Sequence, residues 1–544
     1  MTQVAAPPRR FDVCVVGSGP AGGMVAKDLA EAGARTVLLE AGGPVSPGEL
    51  KTHTHTPGYR LPERGSWNER QHEFYPQDIG ACTYRTGGDR ISVDRIRVLG
   101  GRSVHWNAAV FRFSENDFKE RSRGGVEVEE DWPISYADVA PYYSEVERIV
   151  GLCGTRENLA VLPDSEYAFP TPNLRCAEVL AQKTCRKLGI PMIPARKAIL
   201  RAPRDGRQPC HYCGHCMRGC DVGAVFTSAN TLIPAALRTG NLTVRTHALT
   251  RRVLYDDRGR ATGVAVVDRL TKAEEEVRAD VVVVACGTVE TIRLLLNSAG
   301  PNALVDSSGL LGRYFTGHTQ GAVVGYLKEL VGSPPTNNDG ASEHSYIPRF
   351  THLRGPRPYV GGFAVQVQYY DPEFPHQARR MPGFGRSFKK KVRDLQPAML
   401  QFGGMAKVLA RRENRVTVDP GQTDPWGIPL PVVEMTYGDN DRLLYRSMLD
   451  ELQEIQEAVG VDFLFREETI GGLASHEVGG CRMGTDPRTS VLNPFGQSHD
   501  VKNLFVVDGS SFVTFPEKNP TLTIMALAVR TAAYLTEERR KGNL

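Results

Sequence analysis

The chain has 544 residues, enough for a large core and two or more domains. Its net charge of +4 is too small to indicate nucleic-acid binding, and its 24% charged and 41% hydrophobic residues are ordinary for a globular protein. No apolar run reaches the ~18 residues of a membrane span, so none is predicted. No signal peptide precedes the first predicted strand, which predicts a cytoplasmic protein or one exported with a signal-bearing partner subunit.

The first forty residues have the pattern of a nucleotide-binding βαβ unit. An apolar run at 11–16 predicts a buried strand, followed by a G-x-G-x-x-G turn, a helical stretch and a second strand at 36–39. An acid directly after the second strand can bind a ribose diol, which disfavours NADP and leaves FAD and NAD open. The predicted cofactor-binding residues here are Gly17, Gly19, Pro20, Ala21, Gly22 and Glu40.

A segment with adjacent glycines near its start and aromatic residues near its end follows at 98–107. Its two adjacent glycines would let the backbone approach a flat ligand closely. The predicted cofactor contacts are Gly100, Gly101, Ser103, His105, Trp106 and Asn107. An apolar strand over 277–285, halted at Cys286-Gly287-Thr288 and followed by a helix, resumes the nucleotide-domain pattern much later. One domain is therefore predicted to be interrupted by another.

Four of the 11 cysteines lie in one short segment, whereas the others are scattered singly and do not indicate a disulfide framework. Cys210, Cys213, Cys216 and Cys220 have the spacing C-x₂-C-x₂-C-x₃-C. This is the iron–sulfur spacing of bacterial ferredoxins, although Asp221 replaces the proline that follows there. Structural zinc sites separate two pairs by a longer loop. An iron–sulfur cluster is favoured, with zinc and a metal-free segment as alternatives.

Three C-terminal motifs indicate a family: SHEVGGCRMG at 475–484, NLFVVDGS at 503–510 and NPTLT at 519–523. With the βαβ unit, they resemble the glucose–methanol–choline (GMC) oxidoreductases, and this resemblance favours FAD over NAD. It implies an α/β fold in which a Rossmann-like FAD-binding domain (1–48, 95–115, 240–318 and 470–544) is interrupted. The interrupting α+β substrate-binding domain (49–94, 116–239 and 319–469) would hold an antiparallel sheet and the cysteine segment.

The resemblance also implies a catalytic pair, His476 and Asn519. A neutral imidazole has the basicity to remove a hydroxyl proton near pH 7, and an amide can hydrogen-bond the developing alkoxide. Asn519 is expected to cap a helix that starts at Pro520, with its positive end facing the flavin. Further FAD contacts are implied at Ala248, Gly287, Asp508, Asn519, Pro520 and Thr521.

Within the family, segments 306–314, 381–385 and 486–493 are similar to bacterial glycoside 3-dehydrogenases and pyranose-oxidase-like sugar oxidoreductases. This similarity implies oxidation of a secondary sugar or glycoside hydroxyl, at C3, to a ketone. An oxygen-dependent sugar or C-glycoside oxidase and another GMC alcohol or gluconate dehydrogenase are alternatives. A non-catalytic flavoprotein relay is a further alternative, against which the presence of both His476 and Asn519 argues.

The electron acceptor and the flavin attachment are left open by the sequence. The acceptor would be a small subunit with a cytochrome-type protein, or oxygen. Ser103-Val104-His105-Trp106 resembles the Ser-Thr-His-Trp of pyranose oxidase, in which the histidine is joined covalently to the flavin. A histidine packed beside the flavin without a bond is the alternative.

Overall fold

The computed structural model describes residues 10–50, 52, 85–89, 91, 96–125, 129–214, 216–298, 305–334, 345–369, 378–471 and 476–544. Ser475, the first residue of the SHEVGGCRMG motif, lies outside them. The strands are β1 Phe11–Val16, β2 Thr36–Leu39, β3 Arg85–Gly88, β4 Ile193–Pro194, β5 Leu242–Arg245, β6 Ala248–Tyr255, β7 Ala261–Asp268, β8 Glu274–Val284, β9 His318–Tyr326, β10 Ser345–Ile347, β11 Phe363–Tyr369, β12 Met399–Lys407, β13 Arg415–Thr423, β14 Pro429–Met435, β15 Asp462–Arg466 and β16 Leu504–Val506. The α-helices are α1 Pro20–Glu31, α2 Glu115–Phe118, α3 Glu120–Gly124, α4 Tyr136–Val150, α5 Cys176–Lys187, α6 Ile233–Arg238, α7 Thr288–Ser298, α8 Gly385–Leu395, α9 Asp439–Val459 and α10 Thr521–Arg540.

The first sheet has the order β5-β2-β1-β8-β7-β6, with β16 paired to β8. β1 runs parallel to β2 and β8, with Val13 opposite Thr36 and Val16 opposite Val284. Its central strands β1 and β2 and the end of β8 are buried apolar runs, as is typical of parallel sheets covered on both faces. The C-terminal half of β8 is fully buried there, whereas its glutamate-rich start extends antiparallel beside β7. The predicted α/β fold is confirmed, with β8 and β16 returning to the sheet begun by β1.

The second sheet has the order β15-β9-β12-β11-β10-β4, and its β9, β12, β11 and β10 pair antiparallel. Helix α9 packs against β9 and β12. This antiparallel sheet lies in the segment that interrupts the first sheet, as predicted, while the domain boundaries themselves stay a prediction. No helix in the described part of the chain is long and apolar enough to span a membrane.

Candidate active site

The glycines of the first turn have separate roles. Gly17 has φ +101°, and a Cβ there would meet the Ala285 carbonyl oxygen at 2.3 Å. A Cβ on Gly22 would meet the Gly17 carbonyl oxygen at 1.9 Å, so both glycines permit close packing of strand and helix. A Cβ on Gly19 would have nothing within 4 Å. Gly19 therefore leaves an open face at the N-terminus of α1, which Pro20 and Ala21 begin, and a pyrophosphate fits such a site.

Glu40 follows β2, and protein donors hold its carboxylate. Oε2 accepts hydrogen bonds from the Ser18 N–H at 3.2 Å and the Ser18 hydroxyl at 2.6 Å, and Oε1 accepts from the Gly42 N–H at 2.7 Å. Burial raises the pKa of Glu40. The backbone N–H of Ala248 donates to the Glu40 carbonyl at 2.8 Å, which places Ala248 beside this acid. Each carboxylate oxygen has two lone pairs, so capacity for a ribose hydroxyl remains.

The segment from Gly100 to Ser103 is tied to the glycine turn. Gly100 and Gly101 have φ +96° and +55°, which favours glycine at both positions. The Gly100 N–H donates to the Ser18 hydroxyl at 2.9 Å. The Ser103 hydroxyl donates to the Gly100 carbonyl at 2.6 Å and accepts from the Ser228 N–H at 3.0 Å. These bonds bring two stretches of predicted cofactor-binding residues together.

Of the next three predicted residues, His105 is buried and Trp106 and Asn107 are half-buried. His105 is buried, and this burial lowers its pKa well below 6.5. The indole of Trp106 donates to the Phe226 carbonyl at 2.8 Å. Asn107 accepts from the Lys197 ammonium at 3.0 Å, while its buried amide nitrogen makes no hydrogen bond to a described residue. Since buried donors are normally paired, Asn107 fits a site that holds a ligand.

The carboxylate of Asp508 joins several segments of the fold through hydrogen bonds. Its carboxylate accepts from the Gly287 N–H at 2.9 Å and the Thr291 hydroxyl at 2.5 Å. It also accepts from the N–H and hydroxyl of Ser510, at 3.0 and 2.6 Å. These four bonds join the end of β8, the start of α7 and the turn after β16. Contact of Gly287 and Asp508 with FAD stays a prediction.

The predicted catalytic pair comes together. Asn519 Nδ2 lies 3.4 Å from His476 Nε2, and the Gln366 amide donates to Asn519 Oδ1 at 3.4 Å. The prediction of the helix start was wrong by one residue, since α10 begins at Thr521 and Pro520 occupies the N-cap position. The reason is that the Asn519 side chain contacts His476 and Gln366 instead of capping the helix.

A second histidine, His318, completes the cluster, and the sequence analysis missed it. Its Nδ1 lies 3.1 Å from His476 Nδ1, and its Nε2 lies 2.6 Å from the Pro516 carbonyl oxygen. The ring stacks on Phe515 with centroids 4.0 Å apart. The available signal was a histidine starting an apolar strand directly after the segment 306–314.

Both histidines are neutral near pH 7. Burial lowers the pKa of His476 well below 6.5, and the neighbouring His318 and Arg102 lower it further. Burial also lowers the pKa of His318, to about 4. A neutral imidazole can accept a proton, so the cluster has the protonation state that a general base requires.

The predicted metal ligands share one neighbourhood without converging. Among the described residues, which omit His215, no three His, Cys, Asp or Glu side chains are placed to hold a metal ion. Burial raises the pKa of Cys216 to about 12, and the other three thiols raise it as well. These three thiols are Cys210, Cys213 and Cys220.

The surroundings of the thiols carry positive charge. The turn Cys216–Arg218 packs against the turn Gly101–His105. Arg207 is 5% exposed, and none of its guanidinium nitrogens bonds to a described residue. Burial lowers the pKa of Arg207 to about 10, and the charge of Cys220 raises it. Four sulfurs beside an unsatisfied buried cation fit an anionic cluster in charge, although the thiols are not gathered around one point.

Comparison with known proteins identifies the family. The N-terminal model of the GMC oxidoreductases matches residues 26–320, and the C-terminal model matches residues 410–528. The chain belongs to the GMC oxidoreductases. GMC oxidoreductases bind FAD, which confirms the predicted cofactor and the predicted resemblance.

Individual relatives cover nearly the whole chain. A 2-methyl-1,2-propanediol dehydrogenase of Mycolicibacterium austroafricanum is 32% identical over 96% of this chain and 95% of its own length. A C-glycoside 3-oxidase of Arthrobacter globiformis is 27% identical over 98% of this chain and 96% of its own. The crystal structure of pyridoxine 4-oxidase from Mesorbium loti has the same fold, with a TM-score of 0.66 and 18% identity over 97% of this chain and 99% of its own. The protein is thus a GMC oxidoreductase that acts on alcohol or sugar CH–OH groups.

Proposed function

We propose that this GMC oxidoreductase oxidises a secondary hydroxyl of a sugar or glycoside, at C3, to a ketone. The observation that carries the proposal is the facing pair of His476 Nε2 and Asn519 Nδ2, 3.4 Å apart. The similarity to a C-glycoside 3-oxidase along nearly the whole chain supports C3 as the position.

His476 and Asn519 have different roles at the substrate hydroxyl group. FAD, when bound, supplies the acceptor for the hydride of the carbinol carbon. His476 Nε2 takes the hydroxyl proton, and the amide of Asn519 donates a hydrogen bond to the oxygen as negative charge develops. Gln366 holds the carbonyl end of that amide, so its N–H end stays on the substrate side.

Helix α10 adds an electrostatic contribution. It begins at Thr521, two residues after Asn519, and runs for 20 residues. The positive end of its dipole therefore lies beside the catalytic amide and favours negative charge there.

An anaerobic absorbance experiment with a substrate panel tests the proposal. The panel contains O- and C-glycosides, free sugars and 2-methyl-1,2-propanediol, and bleaching of the flavin band reports reduction. We expect glycosides to bleach the flavin and NMR of the product to show a C3 ketone with an intact anomeric centre. A lactone would indicate oxidation at C1, and bleaching by the diol alone would favour a diol dehydrogenase, which the 32% identical relative supports.

The route of the electrons and the flavin attachment are proposed on the same resemblance. We expect dye reduction to exceed peroxide formation, as in a dehydrogenase that passes electrons to a small subunit and a cytochrome-type acceptor. Acid precipitation separates the two arrangements of His105, because a covalently bound flavin stays with the protein. Cytoplasmic location stays a prediction.

A second proposal concerns Cys210, Cys213, Cys216 and Cys220, which we propose to hold an iron–sulfur cluster. The support is their ferredoxin-like spacing, their shared neighbourhood and the unsatisfied guanidinium of Arg207. The turn Cys216–Arg218 also packs against the loop predicted to contact flavin, which gives electrons a short path. Iron and acid-labile sulfide in protein made with adequate iron test this, while zinc or no metal would overturn it.

A further inference from the structure

We propose that His318 is a positioning residue that fixes the tautomer of His476, keeping its proton on Nδ1 and its Nε2 lone pair free for the substrate hydroxyl. The inference rests on the proposed role of His476 as the base. It follows from the donor and acceptor capacity of each atom along one chain of hydrogen bonds.

The chain starts at the Pro516 carbonyl, which can only accept. It lies 2.6 Å from His318 Nε2, so this nitrogen carries a proton. His318 is fully buried and neutral at pH 7, and a neutral imidazole has one N–H. The other ring nitrogen, Nδ1, is therefore an acceptor.

The contact between His318 and His476 then determines which ring nitrogen of His476 carries the proton. His318 Nδ1 lies 3.1 Å from His476 Nδ1, and two acceptors cannot form a hydrogen bond with each other. His476 Nδ1 must therefore donate, and its single proton is placed there. His476 Nε2 is left with a lone pair.

The contact at the other ring nitrogen of His476 supports the same tautomer independently. Nε2 lies 3.4 Å from Asn519 Nδ2, an amide nitrogen that can only donate. The Gln366 amide fixes this orientation by donating to Asn519 Oδ1 at 3.4 Å. A substrate oxygen within hydrogen-bond distance of both groups would accept from Asn519 and give its proton to His476 Nε2.

Packing holds the His318 ring in the orientation that the chain requires. The ring is parallel to Phe515 within 6°, with centroids 4.0 Å apart, and meets His476 edge-on at 83°. His318 also starts β9, where it pairs with Lys407 in β12. The ring is therefore fixed by stacking and by the sheet before substrate binds.

The test compares two replacements. His318→Asn can keep an acceptor near the Nδ1 position, whereas His318→Phe keeps a flat ring without any acceptor. Anaerobic stopped-flow reduction of bound flavin by the substrate from the panel gives the limiting rate and the apparent substrate affinity. We expect the Phe variant to lose at least about tenfold in limiting rate with little change in affinity, and the Asn variant to recover most of it. His499→Asn, outside the cluster, is the matched control.

Two readouts separate positioning from general damage. The charged groups that influence His318 are Glu517 and Lys407, and the charged group that influences His476 is Arg102. Because a neutral His318 can only accept at Nδ1, its loss in the Phe variant should lower the fraction of His476 that ¹⁵N NMR shows protonated at Nδ1. In addition, ¹⁵N NMR of labelled wild-type protein should show His476 protonated at Nδ1.

The outcomes are distinguishable. A His476 protonated at Nε2 in the wild type, or a Phe variant with an unchanged rate, would overturn the role of His318. Loss of rate in the Asn and Phe variants alike would also overturn it, since that indicates damage to packing. Wild-type rates in a His476→Ala variant would instead overturn the proposed function itself.

Discussion

The histidine cluster and the cysteine segment are both candidate sites, yet the protein's own side chains complete the hydrogen bonding of only the first. In the cluster, each ring nitrogen of His476 and His318 has a polar partner. In the cysteine segment, the thiols do not converge and the guanidinium of Arg207 has no hydrogen bond to a described residue. The first site is organised by the chain itself, whereas the second has the charge pattern of a site that a ligand organises.

The largest effect that separates the two regions is expected from Cys213→Ser. Iron and sulfide should be lost, and turnover with an external acceptor should fall at least about tenfold, while anaerobic flavin reduction by substrate survives. The reason is that chemistry at His476 precedes the exit of electrons. Wild-type protein purified anaerobically with FAD but neither iron nor sulfide would contradict the cluster and favour an oxygen-using oxidase.

Arg207→Met tests whether the buried guanidinium of Arg207 is placed to bind a negatively charged ligand. In iron-free protein, the variant should unfold with a free energy about 1–3 kcal/mol higher, because an unsatisfied buried group is removed. In iron-loaded protein, the same variant should retain less iron. Arg204→Met is the control, since the Arg204 side chain is more exposed than that of Arg207 and its Nε lies 3.5 Å from Asp205 Oδ2. If Arg207→Met raised the free energy of unfolding equally in the iron-free and the iron-loaded protein, the guanidinium would not serve a cluster.

Gln366→Leu tests how far the histidine cluster is organised in advance. Without the hydrogen bond to Asn519 Oδ1, the catalytic amide should turn more freely and flavin reduction should slow about three- to tenfold. Stopped-flow reduction measures this change. A rate equal to wild type would show that packing alone orients Asn519.

The smallest effect is expected from pH. Since the pKa of His476 is held well below 6.5, the base stays neutral and the rate of flavin reduction should be flat between about pH 6.5 and 8.5. Stability should fall as pH drops below 6.5 towards 4, because the unfolded chain then binds protons that buried His318 does not. Rate profiles and thermal unfolding at pH 7 and 5 check both. A rate that drops already between pH 8 and 7 would contradict a depressed pKa.

The sequence predicted those features that depend on local pattern. The apolar run of β1, the glycine turn and the return of an apolar strand at β8 are sufficient for the α/β sheet. The capping box of Ser135 and Asp138 at the start of α4 is also a local feature, because this motif needs only neighbouring residues. The pairing of His476 with Asn519 came from the family resemblance.

What the sequence did not predict depends on distant contacts. His318 enters the site from the start of β9, 158 residues before His476, and a histidine at the start of an apolar strand does not by itself indicate that distant partner. The late start of α10 has a similar reason, since the Asn519 side chain is held by Gln366 from another sheet. The convergence of four thiols is also not determined by spacing alone, as their arrangement here shows.

The measurement that tests the central claim most directly is anaerobic flavin reduction in His476→Ala, beside wild type and the control His499→Asn. We expect all three proteins to retain yellow FAD and only His476→Ala to lose at least about a hundredfold in reduction rate, the scale of general-base loss. A His476→Ala variant that binds FAD and is reduced by substrate at the wild-type rate would contradict the account.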